Sequence, residues 1–331
     1  MTSPNAPKLS VLDLVPVRDG STAGAALADA AALAQSAEAA GYNRFWVAEH
    51  HGMDGVAGGA TSVVLAHIGA ATKTIRIGAG GIMLPNHNPF VIAEQFGTLD
   101  ALFPGRIDLG LGRAPGADMR IAQALRKDLG RASEYFPQDV VELRALFTGD
   151  PPLALRATPG LDAEVALWIL GSSLFGAQLA AALGLPYAFA SHFAPDYLDQ
   201  ALLLYRQNFQ PSAALERPYV MAAMNVIAAD SDADAVLLAS SIDQSFVALR
   251  SGTPGKLKPP VLGYRQTLPP SQFAMLEHMR AVSAVGSPAT VSAAIGQFIE
   301  RTGADEIIVS GATFDPAARQ RSLGLTMQAL S

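Results

Sequence analysis

Cysteine is absent from the chain. That excludes disulfides, thiolate metal ligands and a cysteine nucleophile, and it suits a reducing compartment. Charge is scarce as well: only 16% of the 331 residues are charged, and the net charge is -6. With no long basic run, neither nucleic acid nor an anionic membrane is expected as a partner, although a few converging donors can still hold an anion. No apolar run is long enough to span a bilayer, and the polar opening from Met1 to Lys8 lacks the apolar core of a signal peptide. A cytoplasmic protein is the resulting expectation. What the chain has in plenty is hydrophobic residues, at 50%, enough to fill a sizeable core.

Their pattern alternates between strand and helix. Strand-like runs are Leu9 to Val15, the stretch opening at Phe45, Ile75 to Ala79, Arg106 to Leu111, Ala166 to Leu170, Tyr187 to Ala190, Tyr219 to Ala228 and Glu306 to Ser310. Between them lie helical spacings, among them Ala23 to Ala40 stopped by Gly41, Thr61 to Thr72, Pro89 to Leu102 and Pro288 to Thr302. Eight such strands separated by helices favour a TIM-type (β/α)8 barrel, and no strand-Gly-x-Gly-x-x-Gly-helix opening points to a dinucleotide fold. One barrel domain spanning 1–331 is expected, with insertions near 114–165 and 230–287. Within the second, Ser251 to Pro270 is dense in Gly, Pro and Lys and is expected to be a mobile lid.

Several polar motifs interrupt this pattern where strands should end. Phe45 to Val47 runs into Ala48-Glu49-His50-His51, and if the strand continues, alternation sends only one of the two imidazoles into a barrel mouth. Gly78-Ala79-Gly80-Gly81 either lets a flat ligand approach the backbone or forms a plain turn. Arg113 and Ala114 follow a glycine-flanked strand end, where a guanidinium can bind phosphate bidentately. Gly171-Ser172-Ser173 precedes a helix, so exposed amides and hydroxyls meet the positive end of its dipole; an ordinary Ser cap is the alternative. Asp13 breaks an apolar strand, and His87 and His192 follow strands, which makes all three candidates for a substrate pocket. Glu49, His50, His87 and His192 could be drawn as metal ligands, but the adjacent histidines diverge and no His-x-His shares a strand face, so no metal is expected.

Taken in order, Phe45 to His51, Gly78 to Pro89, Gly105 to Gly116, Gly171 to Pro186 and Gly303 to Val309 resemble the bacterial luciferase-like, flavin-dependent monooxygenases, in particular their non-luminescent bacterial members. The resemblance covers most of the chain and is weakest from Asp230 to about Met279. It implies a TIM-type barrel that takes up reduced FMN at its C-terminal mouth, with Arg113 and Gly171-Ser172-Ser173 at the phosphate. It likewise implies that Gly80-Gly81 is joined by a non-prolyl cis peptide beneath the flavin ring, where a larger side chain at Gly81 would intrude on the ligand. His50 corresponds to the histidine that assists catalysis. Two departures, Ser172 in place of an acidic residue and glycine in place of alanine in the cis pair, argue against luminescence. The implied reaction is oxidation of a small organic substrate by O2, with a separate flavin reductase supplying FMNH2. A deazaflavin (F420) enzyme and a non-catalytic flavin-binding protein are the alternatives, and a homodimer is expected.

Overall fold

The computed structural model describes residues 8–114, 124, 129–150 and 154–330. Nine parallel strands occur among them: β1 (Lys8–Asp13), β2 (Arg44–Val47), β3 (Arg76–Met83), β4 (Ile107–Gly112), β5 (Ala166–Gly171), β6 (Tyr187–Phe189), β7 (Val220–Ala228), β8 (Ser283–Gly286) and β9 (Glu306–Ser310). Eight of them close into a barrel in the order β6-β5-β4-β3-β2-β1-β9-β7, with β6 returning to pair with β7. The ninth, β8, lies outside that circuit and pairs with Asn225 to Ala228 of β7, beyond the Val220 to Ala222 stretch that β6 meets. Its four residues fall inside the expected insertion, too short to announce themselves as a strand.

Local chemistry explains the outer helices, which include α2 (Thr61–Ala71), α3 (Pro89–Leu102) and α7 (Leu198–Asn208). The helix α1 (Ala23–Ala40) begins where the Thr22 side chain accepts from the Ala25 N–H and stops at Gly41, whose φ of 89° suits glycine. It buries Ala26, Ala30, Leu33, Ala34 and Ala37, one helical face, against the sheet. Strands covered on both faces need no polar alternation, and all nine residues of β7 are buried. The region 114–165 contributes α4 (Leu129–Glu134) and α5 (Phe136–Thr148) among its described residues.

Inside the barrel, inward side chains stack in layers. At the N-terminal end Arg44 bridges Asp108 (2.8 Å) and Glu306 (3.0 Å), while Arg76 holds the other Asp108 oxygen at 2.6 Å. Glu306 also takes hydrogen bonds from Ser10, Asn43 and Tyr219. Burial disfavours the Arg44 charge, but Asp108 and Glu306 outweigh it and keep its pKa above the ordinary value. Above this ionic layer Leu12, Trp46, Trp168, Ala188, Met221 and Ile308 form an apolar plug, Trp46 meeting Trp168 edge-on with centroids 5.2 Å apart. The plug closes the barrel from below, so any site at the C-terminal mouth has a dry floor.

The segment from Ser251 to Pro270 is not loose. Leu257 is buried, its N–H donating to Val17 O (2.9 Å) and its carbonyl accepting from Asp19 N–H (2.8 Å). Lys256 Nζ donates to Ser21 O at 2.9 Å, and Val261 N–H to Ser240 Oγ at 2.7 Å. Asp243, buried on α8 (Asp232–Arg250), accepts from Arg265 Nε at 3.1 Å and from Arg280 Nη1 at 2.8 and 2.9 Å. The expected mobile lid is therefore a strap pinned along its length; composition alone missed these anchors because each partner lies far away in sequence.

Candidate active site

Strand β2 ends at Val47, four residues before His51. Positions 48–51 lie beyond the strand, so its alternation does not reach the two imidazoles, yet they still diverge. Glu49 and His51 turn one way and His50 the other. The Glu49 carboxylate is buried, and its Oε1 lies 2.5 Å from His51 Nε2 and 2.8 Å from His87 Nε2. Its Oε2 accepts from the Met83 N–H at 3.0 Å. Burial alone would raise the Glu49 pKa, but the bonds from His87, Met83 and His51 outweigh it and hold the carboxyl below its usual range.

This triad corrects the place expected for His87, which faces Glu49 and is absent from the walls of the mouth cavities. The ligand atoms of Glu49, His51 and His87 lie within 4.8 Å of one another. The shared oxygen already stands at hydrogen-bond distance from both rings, so the cluster is explained as a brace joining the ends of β2 and β3.

On the opposite side, His50 looks into the mouth. Two adjoining chambers share Leu14, His50, His192 and Phe193. The inner one, about 120 Å³, is floored by Gly80, Trp46 and Leu170; the outer one, about 290 Å³, is walled by Met53, Val56, Phe246 and Leu257. Burial and the nearby His51 push the His50 pKa below its ordinary value despite Glu49, which acts the other way. Burial and His50 push His192 down to about 4. Both rings are therefore neutral near pH 7.

The structure adds Asn225, which the sequence reading passed over. It is the lone amide in the apolar run Val220 to Ala228, the same signal that singled out Asp13 in β1. Asn225 Nδ2 donates to His192 O at 2.5 Å, while its Oδ1 has no hydrogen-bond partner among the described residues. Asp13 does not line either chamber: its Oδ1 accepts from Val15 N–H (2.9 Å) and Arg319 Nη2 (2.8 Å), and Arg319 forms the wall instead.

Beside the inner chamber, register brings the remaining candidates together. Gly112 of β4 pairs with Leu170 of β5, so Arg113 and Gly171-Ser172 leave neighbouring strands at the same height. The guanidinium of Arg113, an exposed residue, stands 4.1 Å from the Phe175 ring centroid. Phe175 lies in the first turn of α6 (Leu174–Leu183), whose N-cap Ser173 makes no side-chain cap bond. Tyr187 Oη donates to Ser173 O at 3.2 Å and fixes that corner. A cation above a helix N-terminus whose amides no capping side chain occupies is a fitting receptor for a phosphate dianion. Ala114 is exposed at the edge of this corner.

Gly80 and Gly81 are joined by a cis peptide. Their environments differ. Gly80 lines the inner chamber, whereas a Cβ on Gly81 would lie 2.6 Å from the Gly110 carbonyl oxygen and 3.0 Å from Leu170 Cδ2. A packing reason for glycine at position 81 thus stands beside the expected one: β4 and Leu170 occupy the space a Cβ would need.

The model of the luciferase-like monooxygenase family matches residues 8–306. An Escherichia coli K12 protein named luciferase-like monooxygenase is 51% identical over 319 residues, which are 96% of this chain and 95% of that one. The crystal structure of apo-MsnO8 superposes with a TM-score of 0.91 at 35% identity, covering 98% of both chains. A type II Baeyer-Villiger monooxygenase, the oxygenating constituent of 3,6-diketocamphane monooxygenase from Pseudomonas putida, solved with FMN, shares the fold with a TM-score of 0.70 at 18% identity, over 97% of this chain and 96% of that one. Among the described residues no helix is long and apolar enough to cross a membrane.

Proposed function

The chain belongs to the luciferase-like monooxygenase family, and on that premise we propose that it is a two-component FMN-dependent monooxygenase acting on a small organic substrate. The observation that carries the reading is the Arg113 guanidinium 4.1 Å from Phe175, in the first turn of a helix whose N-cap side chain leaves the amides open, next to a chamber lined by Gly80 and His50. Arg113, with the hydroxyls and amides of Ser172 and Ser173 beside Gly171 and Ala114, holds the phosphate, and Gly80-Gly81 offers bare backbone beneath the ring. Reduced FMN, when bound, supplies the electrons that activate O2.

The protein's own share is orientation, dryness and a proton site. The Trp46–Trp168 plug and the apolar walls keep water out of the chambers. His50, kept neutral by burial, is in its basic form and accepts a proton from the substrate side, returning it once the oxygen has transferred. Glu49, braced by His51 and His87, sets the turn that points His50 inward. A separate reductase supplying FMNH2 and a homodimeric assembly belong to the same reading.

Anaerobic titration with reduced FMN and with reduced F420 tests it. FMN should bind the more tightly, and Arg113→Ala should weaken it about tenfold or more, the loss of one ionic hydrogen-bond partner. Preference for F420, or an FMN affinity unchanged in Arg113→Ala, would overturn the assignment. With a substrate in hand, His50→Ala should slow oxidation roughly 100- to 10,000-fold and leave FMN affinity nearly intact.

A further inference from the structure

The outer chamber is unusual in how little charge faces it. Among the described residues no Asp or Glu lines either chamber. Of the two arginines in its wall, Arg319 is already neutralised by Asp13 at 2.8 Å, and Arg250 sits exposed at the last turn of α8, out at the rim. The imidazoles of His50 and His192 add no charge near neutral pH. Apart from Asn225 and the hydroxyls of Ser245 and Ser310, which carry no charge, the rest is mainly apolar, with Leu14, Met53, Val56, Ile242, Phe246 and Leu257 prominent. An ionised substrate would surrender its water here without gaining a free buried counter-ion.

Against this wall stand three polar side chains without their full set of partners. One is His50, whose Nδ1 has no hydrogen-bond partner among the described residues. The others are Asn225, 5% exposed, and His192, 8% exposed, whose Oδ1 and Nδ1 likewise have none among the described residues. Both residues line the chamber, and they are tied to each other by Asn225 Nδ2 donating to His192 O at 2.5 Å. Native interiors rarely leave such groups unpaired, and when they do, a ligand or water is the usual complement. Asn225 sits on β7, a strand paired on both edges, so its amide is held by the rigid barrel.

We propose that this chamber selects an uncharged, largely apolar substrate that donates one hydroxyl or N–H proton to Asn225 Oδ1, with His192 lining the same polar corner. The inference rests on the reading of the mouth as the oxidation site and names the substrate class that site takes. Asn225 is thereby a specificity-determining residue: a substrate lacking the donor leaves the buried oxygen unpaired, and discrimination against it follows.

The test is binding to the flavin-free full chain, followed calorimetrically, with three matched probes: octan-1-ol, its isomer 1-methoxyheptane, which has the oxygen but no donor, and octanoate. Octan-1-ol should bind about tenfold more tightly than the ether, the worth of one buried hydrogen bond, and octanoate most weakly. In Asn225→Leu or Asn225→Ala the alcohol and ether should bind alike. Equal affinity of alcohol and ether in the wild-type chain, no binding of either, tighter binding of octanoate, or a preference that survives in a folded Asn225 variant would each overturn the proposal. The wild-type comparison stands even if neither variant folds. Failure of the flavin reading is told apart by FMN titration of the same preparation: alcohol preference without FMN binding removes the oxidation reading and keeps the chamber's selectivity, and FMN binding without the preference does the reverse.

Discussion

Adding one methyl group to Gly81 should cost far more stability than adding it to Gly80. Neither residue has a positive φ, so the backbone conformation itself does not demand glycine at either position. The difference lies in what the new Cβ meets. At Gly81 it would lie 2.6 Å from the Gly110 carbonyl oxygen and 2.9 Å from the carbonyl carbon, both backbone atoms of the neighbouring strand β4. Ordinary contact requires that strand to retreat by several tenths of an ångström, and overpacking of this kind costs about 1–3 kcal/mol. The smaller unfolded-state entropy of alanine returns about 0.4–1 kcal/mol. We expect a net loss near the upper part of that range, about 2 kcal/mol. At Gly80 the nearest atom is Leu12 Cδ1 at 2.7 Å, the far end of a flexible side chain that lines the inner chamber and has room to swing, followed by Trp46 atoms at 3.1 Å. There the two terms should nearly cancel. Scaled to 331 residues, a loss of about 2 kcal/mol lowers Tm by roughly 3 °C, which calorimetry on the two alanine variants and the parent resolves, with urea midpoints as a second measure. A Gly81→Ala protein as stable as the parent, or a Gly80→Ala protein destabilised as much, would refute the packing argument. Intact stability with lost FMN affinity in Gly81→Ala would instead return that glycine to the ligand.

Other outcomes follow from buried charge. Asp243→Ala removes the carboxylate paired with the mostly buried Arg280 and leaves Arg265 with Glu277 alone; it should cost about 3–5 kcal/mol and make residues 251–270 sensitive to limited proteolysis, and resistance equal to the parent's would show that the strap is held without it. Stability should also fall in acid before most carboxylates titrate. His192 has an ordinary pKa of 6.5 but titrates near 4 when folded, so between those values the unfolded chain binds a proton that the folded chain does not. Its contribution is complete above pH 6.5 and is lost as pH drops toward 4, by about 3 kcal/mol; burial of His50 acts in the same direction. Urea unfolding from pH 7.5 to 4.5 should show this slope, and a His192→Leu variant that keeps it unchanged would assign it to other groups.

Much of the architecture was legible in the chain itself because it rests on interactions between near neighbours. The alternation of apolar strands with capped, glycine-stopped helices is local chemistry, and it was enough for the eight barrel strands, for α1 from Ala23 to Ala40 and for α3 (Pro89–Leu102). Glycine-rich strand ends and Arg113 were visible for the same reason. What tertiary structure alone decided is which distant side chains share space. His87 meets Glu49 across 38 residues, Asn225 reaches the His192 carbonyl across 33, and Asp13 finds Arg319 across 306. No periodicity encodes those distances: barrel closure brings the strand ends onto one rim and strand register sets their height. The same closure gave Gly81 a packing contact with Gly110, and it tied Leu257 to Val17, so that a segment whose composition suggested mobility is hydrogen-bonded into the wall of the site.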